Sequence, residues 1–123
     1  MKKILIVEDN QVTLKLLNEV FKKEGYQVEM ISEGANAVEK IMKMKPDIIL
    51  MDILLPDVDG ASIAKTLQNN SDTKDIPLIF LSGIIEKEIG QDQSVIKIGE
   101  RNYRALGKPI TTSKLLQTIK EVI

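Results

Sequence analysis

Four stretches of this chain end in residues that can do chemistry. Ile4-Leu5-Ile6-Val7 runs into Glu8-Asp9, and Ile48-Ile49-Leu50-Met51 runs into Asp52. Leu78-Ile79-Phe80-Leu81 runs into Ser82, and the more mixed Tyr103 to Leu106 runs into Gly107-Lys108-Pro109. If those four ends meet, they bring together three carboxylates, a hydroxyl and an ammonium. Carboxylates gathered that closely repel one another. A hard divalent cation with oxygen ligands offsets the repulsion, and Mg²⁺ suits a site of few carboxylates, waters and a phosphate. Lys108 adds a positive charge and Ser82 a hydroxyl donor, so the set describes a holder for a phosphoryl group. The chain has no histidine and no cysteine. The nucleophile on offer is therefore a carboxylate, whose product would be an aspartyl phosphate. Cation and lysine would offset charge on the equatorial oxygens during transfer.

Each residue also has an ordinary explanation. Glu8 or Asp9 alone reads as a helix cap, Asp52 as a loop acid, Ser82 as a turn residue and Lys108 as surface charge. Asp57 and Asp59 keep such readings, the first as a solvated acid and the second as a helix cap. Joint placement favours the site. Independent capping does not put acids after two buried strands, a hydroxyl after a third and a lysine after a fourth, and a motif of several parts in its expected context outweighs any single match.

The elements that must position these residues follow from periodicity. The short all-apolar runs suit strands buried on both faces. Between them lie amphipathic segments. Asn10 can cap a first helix whose apolar side is Val12, Leu14, Leu16, Leu17, Val20 and Phe21. Gly25 stops it and Tyr26 to Ile31 alternates as a second strand. Ser32 or Glu33 opens a second helix with Ala37, Val38, Ile41 and Met42 inward, and Pro46 ends it. Asp59 caps a third helix bearing Ile63, Ala64 and Leu67. Val95, Ile96 and Ile98 suggest a face of a short, irregular fourth helix interrupted by Gly90 and Gly99. Thr111, Thr112 or Ser113 caps a last helix with Leu115, Leu116, Ile119 and Val122 inward. Five strands alternating with five helices predict an α/β fold with a parallel sheet covered on both faces. All strand carboxyl ends then lie on one edge, where such sheets bind ligands.

Composition agrees with one globular domain over residues 1–123. Hydrophobic residues make up 43% and charged residues 28%, which argues against disorder. Net charge is −1, from 17 basic and 18 acidic residues, so no direct nucleic-acid binding is expected. The apolar run after Met1-Lys2-Lys3 is too short for a signal peptide or a membrane span. The chain reads as cytoplasmic.

With Val7-Glu8-Asp9-Asn10, Asp52 followed by Pro56 and Asp59-Gly60, Leu81-Ser82-Gly83 and Gly107-Lys108-Pro109-Ile110, the chain resembles a two-component response regulator receiver domain over essentially its whole length. The resemblance implies a flavodoxin-like (βα)5 three-layer sandwich with five parallel strands in the order 2-1-3-4-5. It implies that Asp52 accepts phosphoryl from a sensor histidine kinase or a histidine phosphotransfer protein. Asp9 would bind Mg²⁺ (or Mn²⁺) directly, Glu8 mainly through water, and Leu54 through its backbone carbonyl. Ser82 would hydrogen-bond the phosphoryl group and Lys108 pair with it, with a cis bond before Pro109. Output would pass through the face of helix 4, strand 5 and helix 5, which could also carry a homodimer, to a partner or effector domain not identified by the sequence. Catalysis would be limited to the chain's own phosphorylation and slow dephosphorylation, because Leu54 and Ile84 are apolar where polar groups would position water.

Two features depart from the family pattern. An aromatic switch residue usually stands three positions before the lysine, which here is Ala105; Tyr103, two residues back, shares its strand face and is the alternative. The interval from Ser82 to Lys108 is also long, placing extra residues within 84–104. An aspartate-nucleophile phosphatase is a second reading, disfavoured because Leu54 cannot act as a general acid two positions after Asp52. A constitutive binding domain that is never phosphorylated is a third.

Overall fold

A computed structural model of the chain describes residues 1–82, 93–107 and 111–123. Its centre is a six-stranded sheet. In chain order the strands are β1 (Lys3–Val7), β2 (Gln27–Ile31), β3 (Ile48–Asp52), β4 (Leu78–Ser82), β5 (Gln93–Ile98) and β6 (Arg101–Gly107). The helices are α1 (Gln11–Lys23), α2 (Ala37–Met44, preceded by a 3₁₀ turn at Gly34–Asn36), α3 (Gly60–Gln68) and α4 (Thr112–Val122).

The spatial order is β2-β1-β3-β4-β6-β5. The first five strands of that order are mutually parallel, which is the expected doubly wound arrangement. Because alternate residues of a strand point to opposite faces, each apolar run feeds two cores. Leu5, Val7, Ile49, Met51 and Phe80 pack with Ile41 of α2 and Ile63 and Leu67 of α3. Ile4, Ile6, Ile48, Leu50 and Ile79 pack with Leu14, Leu17 and Phe21 of α1 and Leu115 and Ile119 of α4. This double burial is why Ile4 to Val7 of β1, and β3 and β4 up to their last residues, carry no polar side chain.

Three of the expected caps form, while the turn before α2, expected to open at Ser32 or Glu33, starts after Glu33 with no side-chain cap. Asn10 accepts the Thr13 N–H at 3.1 Å, Asp59 the Ala61 N–H at 3.0 Å and Thr111 the Lys114 N–H at 3.3 Å. On α1 the inward stripe is narrower than expected. Val12 is 79% exposed and Leu16 54%, because a straight helix against a sheet buries the row of Leu14, Leu17 and Phe21 and leaves positions two residues off it outside. Met42 of α2 is likewise exposed.

The region after Ser82 differs most from expectation. Val95, Ile96 and Ile98 lie on β5, which pairs antiparallel with β6 from Gln93↔Leu106 to Ile98↔Arg101. The sheet therefore has six strands rather than five, one of them antiparallel, and the described residues hold four helices rather than five. The segment from Val95 has the period of a strand: Ile96 and Ile98 pack on the α3 side, while Val95 and Lys97 are exposed. Gly99 is the hairpin turn rather than a helix interruption. Its φ of +63° is one an L side chain rarely adopts, and a Cβ there would come within 2.8 Å of Gln68 Oε1. Gln68, at the end of α3, closes the joint by donating to the Ile98 carbonyl and to the Tyr103 hydroxyl, both at 2.8 Å. The fifth parallel strand, expected over Tyr103 to Leu106, extends over Arg101–Gly107. The helix-four part of the expected output and dimer face is therefore β-structure from Gln93 onward.

Candidate functional site

Three parallel strands deliver the site residues to one edge. Glu8 follows β1 immediately, and its N–H continues the ladder by donating to the Ile31 carbonyl at 3.0 Å. Asp52 is the last residue of β3 and Ser82 the last of β4. Asp52 stands opposite Leu81, and Ser82 opposite Gly107 of β6. Backbone register, set far below by the apolar pairs Ile4↔Ile48 and Leu50↔Ile79, thus decides which side chains meet at the top.

The meeting is close. One carboxylate oxygen each from Glu8, Asp9 and Asp52 lies within 4.8 Å of the others. Glu8 is fully buried, Asp52 is 7% exposed and Asp9 faces solvent. Three negative groups at that separation, two of them shielded from water, are mutually unfavourable without a cation. Oxygen-only ligands with one open side match the preferences of a hard divalent ion that keeps some of its waters. The donor set therefore fits Mg²⁺ or Mn²⁺, and an imidazole- or thiolate-bound metal is excluded by composition.

The segment after Asp52 is folded back over the end of its own strand. The Leu54 N–H donates to Asp52 Oδ1 at 3.0 Å, which fixes the rotation of the carboxylate. Leu54 and Asp59 form an isolated bridge, and the Gly60 N–H donates to the Ile53 carbonyl at 3.0 Å. Ile53 N–H in turn donates to the Leu81 carbonyl at 3.1 Å. Leu54 itself is 57% exposed, an apolar side chain standing at the mouth of the site.

Ser82 is buried beside this group. Lys108 and the bond before Pro109 lie outside the described residues, as do Gly83 and Ile84. Ala105 and Tyr103 are both buried on the α3 side of β6. Ala105 stands opposite Phe80, and the Tyr103 ring meets the Phe80 ring edge-on at 5.5 Å.

Asp57 has a larger part than a solvated loop acid. Its two oxygens accept the backbone N–H groups of Gly34 and Ala35, at 3.0 and 2.9 Å. These bonds, that to Ala35 foremost, hold its carboxyl below the ordinary carboxylate pKa. No local sequence signal pairs residue 57 with residues 34 and 35, since nothing in either loop's composition specifies the other.

The comparisons with known proteins agree with this architecture. The family model for the response regulator receiver domain matches residues 4–120. The polar-differentiation response regulator DivK of Brucella anthropi is 31% identical over 122 residues, spanning 99% of this chain and 96% of that protein. Among solved structures, the chemotaxis protein CheY4 of Vibrio cholerae superposes with a TM-score of 0.81 at 25% identity, covering 100% of this chain and 99% of that one. The receiver domain of a sensor histidine kinase from Pseudomonas aeruginosa, with a magnesium ion coordinated in its active-site cleft, gives 0.82 at 25% identity, covering 98% and 96%. No helix among the described residues is long and apolar enough to cross a membrane. The acidic edge, the doubly wound sheet and a family match over nearly every residue lead to one conclusion: this chain belongs to the response regulator receiver domains, the phosphorylation-controlled switches of two-component signalling.

Proposed function

We propose that Asp52 is the phosphoacceptor of a single cytoplasmic receiver domain spanning residues 1–123. An Asp52 oxygen forms the new O–P bond as the N–P bond of a phosphohistidine breaks. The electron pair of that bond leaves with the imidazole nitrogen, which solvent then protonates. The donor is a histidine kinase or a histidine phosphotransfer protein. Glu8, Asp9, Asp52 and the Leu54 carbonyl would hold Mg²⁺, which when bound supplies positive charge beside the phosphoryl oxygens. Ser82 donates to one phosphoryl oxygen and Lys108 pairs with another. The observation that carries this reading is the convergence of three carboxylate oxygens within 4.8 Å at the carboxyl edge of the sheet.

The exposed Leu54 side chain supports slow loss of the phosphoryl group, because it offers no polar atom to orient an attacking water. It also argues against turnover of other phosphoesters. At the output end, Ala105 has no rotamer to switch. The Tyr103 hydroxyl accepts from Gln68, which favours an inward, stationary ring, so the change at Ser82 passes to partners through the β5–β6 hairpin.

Incubation with Mg²⁺ and acetyl phosphate, followed by intact-mass measurement, tests the acceptor. The wild type should gain the mass of one phosphoryl group and Asp52→Asn should gain none. Equal gain in both would place the acceptor elsewhere.

A further inference from the structure

The geometry assigns Asp57 a positioning role: it clasps the loop between β3 and α3 to the loop between β2 and α2, and so holds the backbone on which the phosphoacceptor edge is built. The inference rests on the reading of Asp52 as phosphoacceptor and extends it to a residue five positions away.

The clasp is two-sided. Asp57 Oδ1 accepts from Gly34 and Oδ2 from Ala35, two successive amides of the 3₁₀ turn that precedes α2. Successive N–H groups converging on one anion form a concave, partly positive nest. Charge-assisted bonds of this kind are about twice as strong as neutral ones. Beneath the clasp the same two loops touch through apolar atoms. A Cβ placed on Gly34 would lie 3.0 Å from Leu55 Cδ1, 3.1 Å from Val58 Cβ and 3.3 Å from Ile63 Cδ1. The 3₁₀ turn therefore lies flat on the loop, and Asp57 ties down its rim.

The tied segment is short and each of its ends bears on the site. On one side of Asp57 is Leu54, whose N–H fixes the Asp52 carboxylate and whose carbonyl is the proposed backbone ligand of the cation. On the other are Asp59, which bridges Leu54 and caps α3, and Gly60, bonded to Ile53. Without the clasp, Pro56 to Val58 lose the two side-chain hydrogen bonds that tie them to the loop before α2. The Leu54 carbonyl then wanders relative to the carboxylates with which it must share a ligand.

The test compares wild type, Asp57→Ala, Asp57→Asn and Ala35→Pro. Asparagine can accept one of the two amides but presents an NH₂ group to the other. Proline at position 35 removes one donor from the opposite loop. In metal-free protein, amide hydrogen exchange at Leu54 and Gly60 should speed up in Asp57→Ala, less so in Asp57→Asn. Mg²⁺ affinity by calorimetric titration, and the phosphorylation rate with acetyl phosphate, should both fall roughly tenfold in Asp57→Ala, as for loss of a group that supports a metal ligand. Ala35→Pro should act in the same direction, and the double variant should lose less than the two single effects added together. Faster exchange confined to Gly34 and Ala35, with unchanged Mg²⁺ affinity, would overturn the assignment. So would strictly additive effects. If the wild type takes up no phosphoryl group, the reading of Asp52 fails, while the exchange arm still decides the clasp.

Discussion

Gly60→Ala puts the packing at the acceptor edge to a direct test, because two effects of opposite sign meet there. Gly60 opens α3, and alanine is favoured over glycine in helices by up to about 1 kcal/mol. Its backbone needs no left-handed conformation, so propensity alone makes the substitution stabilising. Space argues the other way. The added Cβ would stand 2.8 Å from the Asp52 carbonyl oxygen, 3.0 Å from Ile53 Cα and 3.1 Å from the Ile53 oxygen. All three are backbone atoms of Asp52, which ends β3, and of Ile53, which follows it, so no side chain can turn aside. Reaching an ordinary contact of 3.4 Å means lifting α3 from the strand or displacing Asp52. Overpacking of this kind costs on the order of 1–3 kcal/mol, and at this site it should win, for a net loss of roughly 1–2 kcal/mol. Urea unfolding measures the stability, and phosphorylation by acetyl phosphate measures the displacement. Two controls separate the causes. Gly34→Ala meets mostly side-chain ends and should cost less; Gly25→Ala has φ +90° and nothing within 4 Å, so it should cost stability through backbone strain alone and leave phosphorylation unchanged. A Gly60→Ala protein as stable as the wild type and phosphorylated at the same rate would refute the reasoning.

Three further outcomes are expected. Lys45 ends α2 in the left-handed region at φ 50°, so Lys45→Gly should raise stability by about 1 kcal/mol in urea melts. Gln68→Leu leaves the Ile98 carbonyl and the Tyr103 hydroxyl without their amide donor; it should cost roughly 1–3 kcal/mol and raise amide exchange across β5 and β6 while phosphorylation of Asp52 persists. Asp57 has a folded pKa below its ordinary value of 3.8, so its contribution is present above that value and is lost as pH falls through the lower folded one. Wild type and Asp57→Asn should therefore differ in stability near neutral pH and converge in acid, and a constant difference down through the acid limb would contradict the assignment.

Much of the molecule was legible because the signals are local. Continuous apolar runs mark strands buried twice over, and the caps Asn10, Asp59 and Thr111 mark the starts of their helices. Val95, Ile96 and Ile98 misled because three apolar residues in four positions fit a helix face as well as a strand, and the length that arbitrates was broken by glycines. Val12 and Leu16 misled because hydrophobicity shows which residues could be buried, whereas the orientation of α1 against the sheet selects which of them are. Tyr103 bonds to Gln68 across 35 residues, a pairing that leaves no mark in either neighbourhood.

By itself the sequence determined which groups are on offer for chemistry: carboxylates, a hydroxyl and a lysine after apolar runs, with no histidine or cysteine. It determined the fold class too, since parallel strands need helical crossovers and the chain alternates accordingly. Tertiary structure decided the β5–β6 hairpin, the clasp of Asp57 on Gly34 and Ala35, and the absence of room for a side chain at Gly60. Those depend on backbone groups of one loop meeting atoms of another. A strand's period is written within six residues, but the distance between residues 34 and 57 is set only once the sheet and its helices have packed.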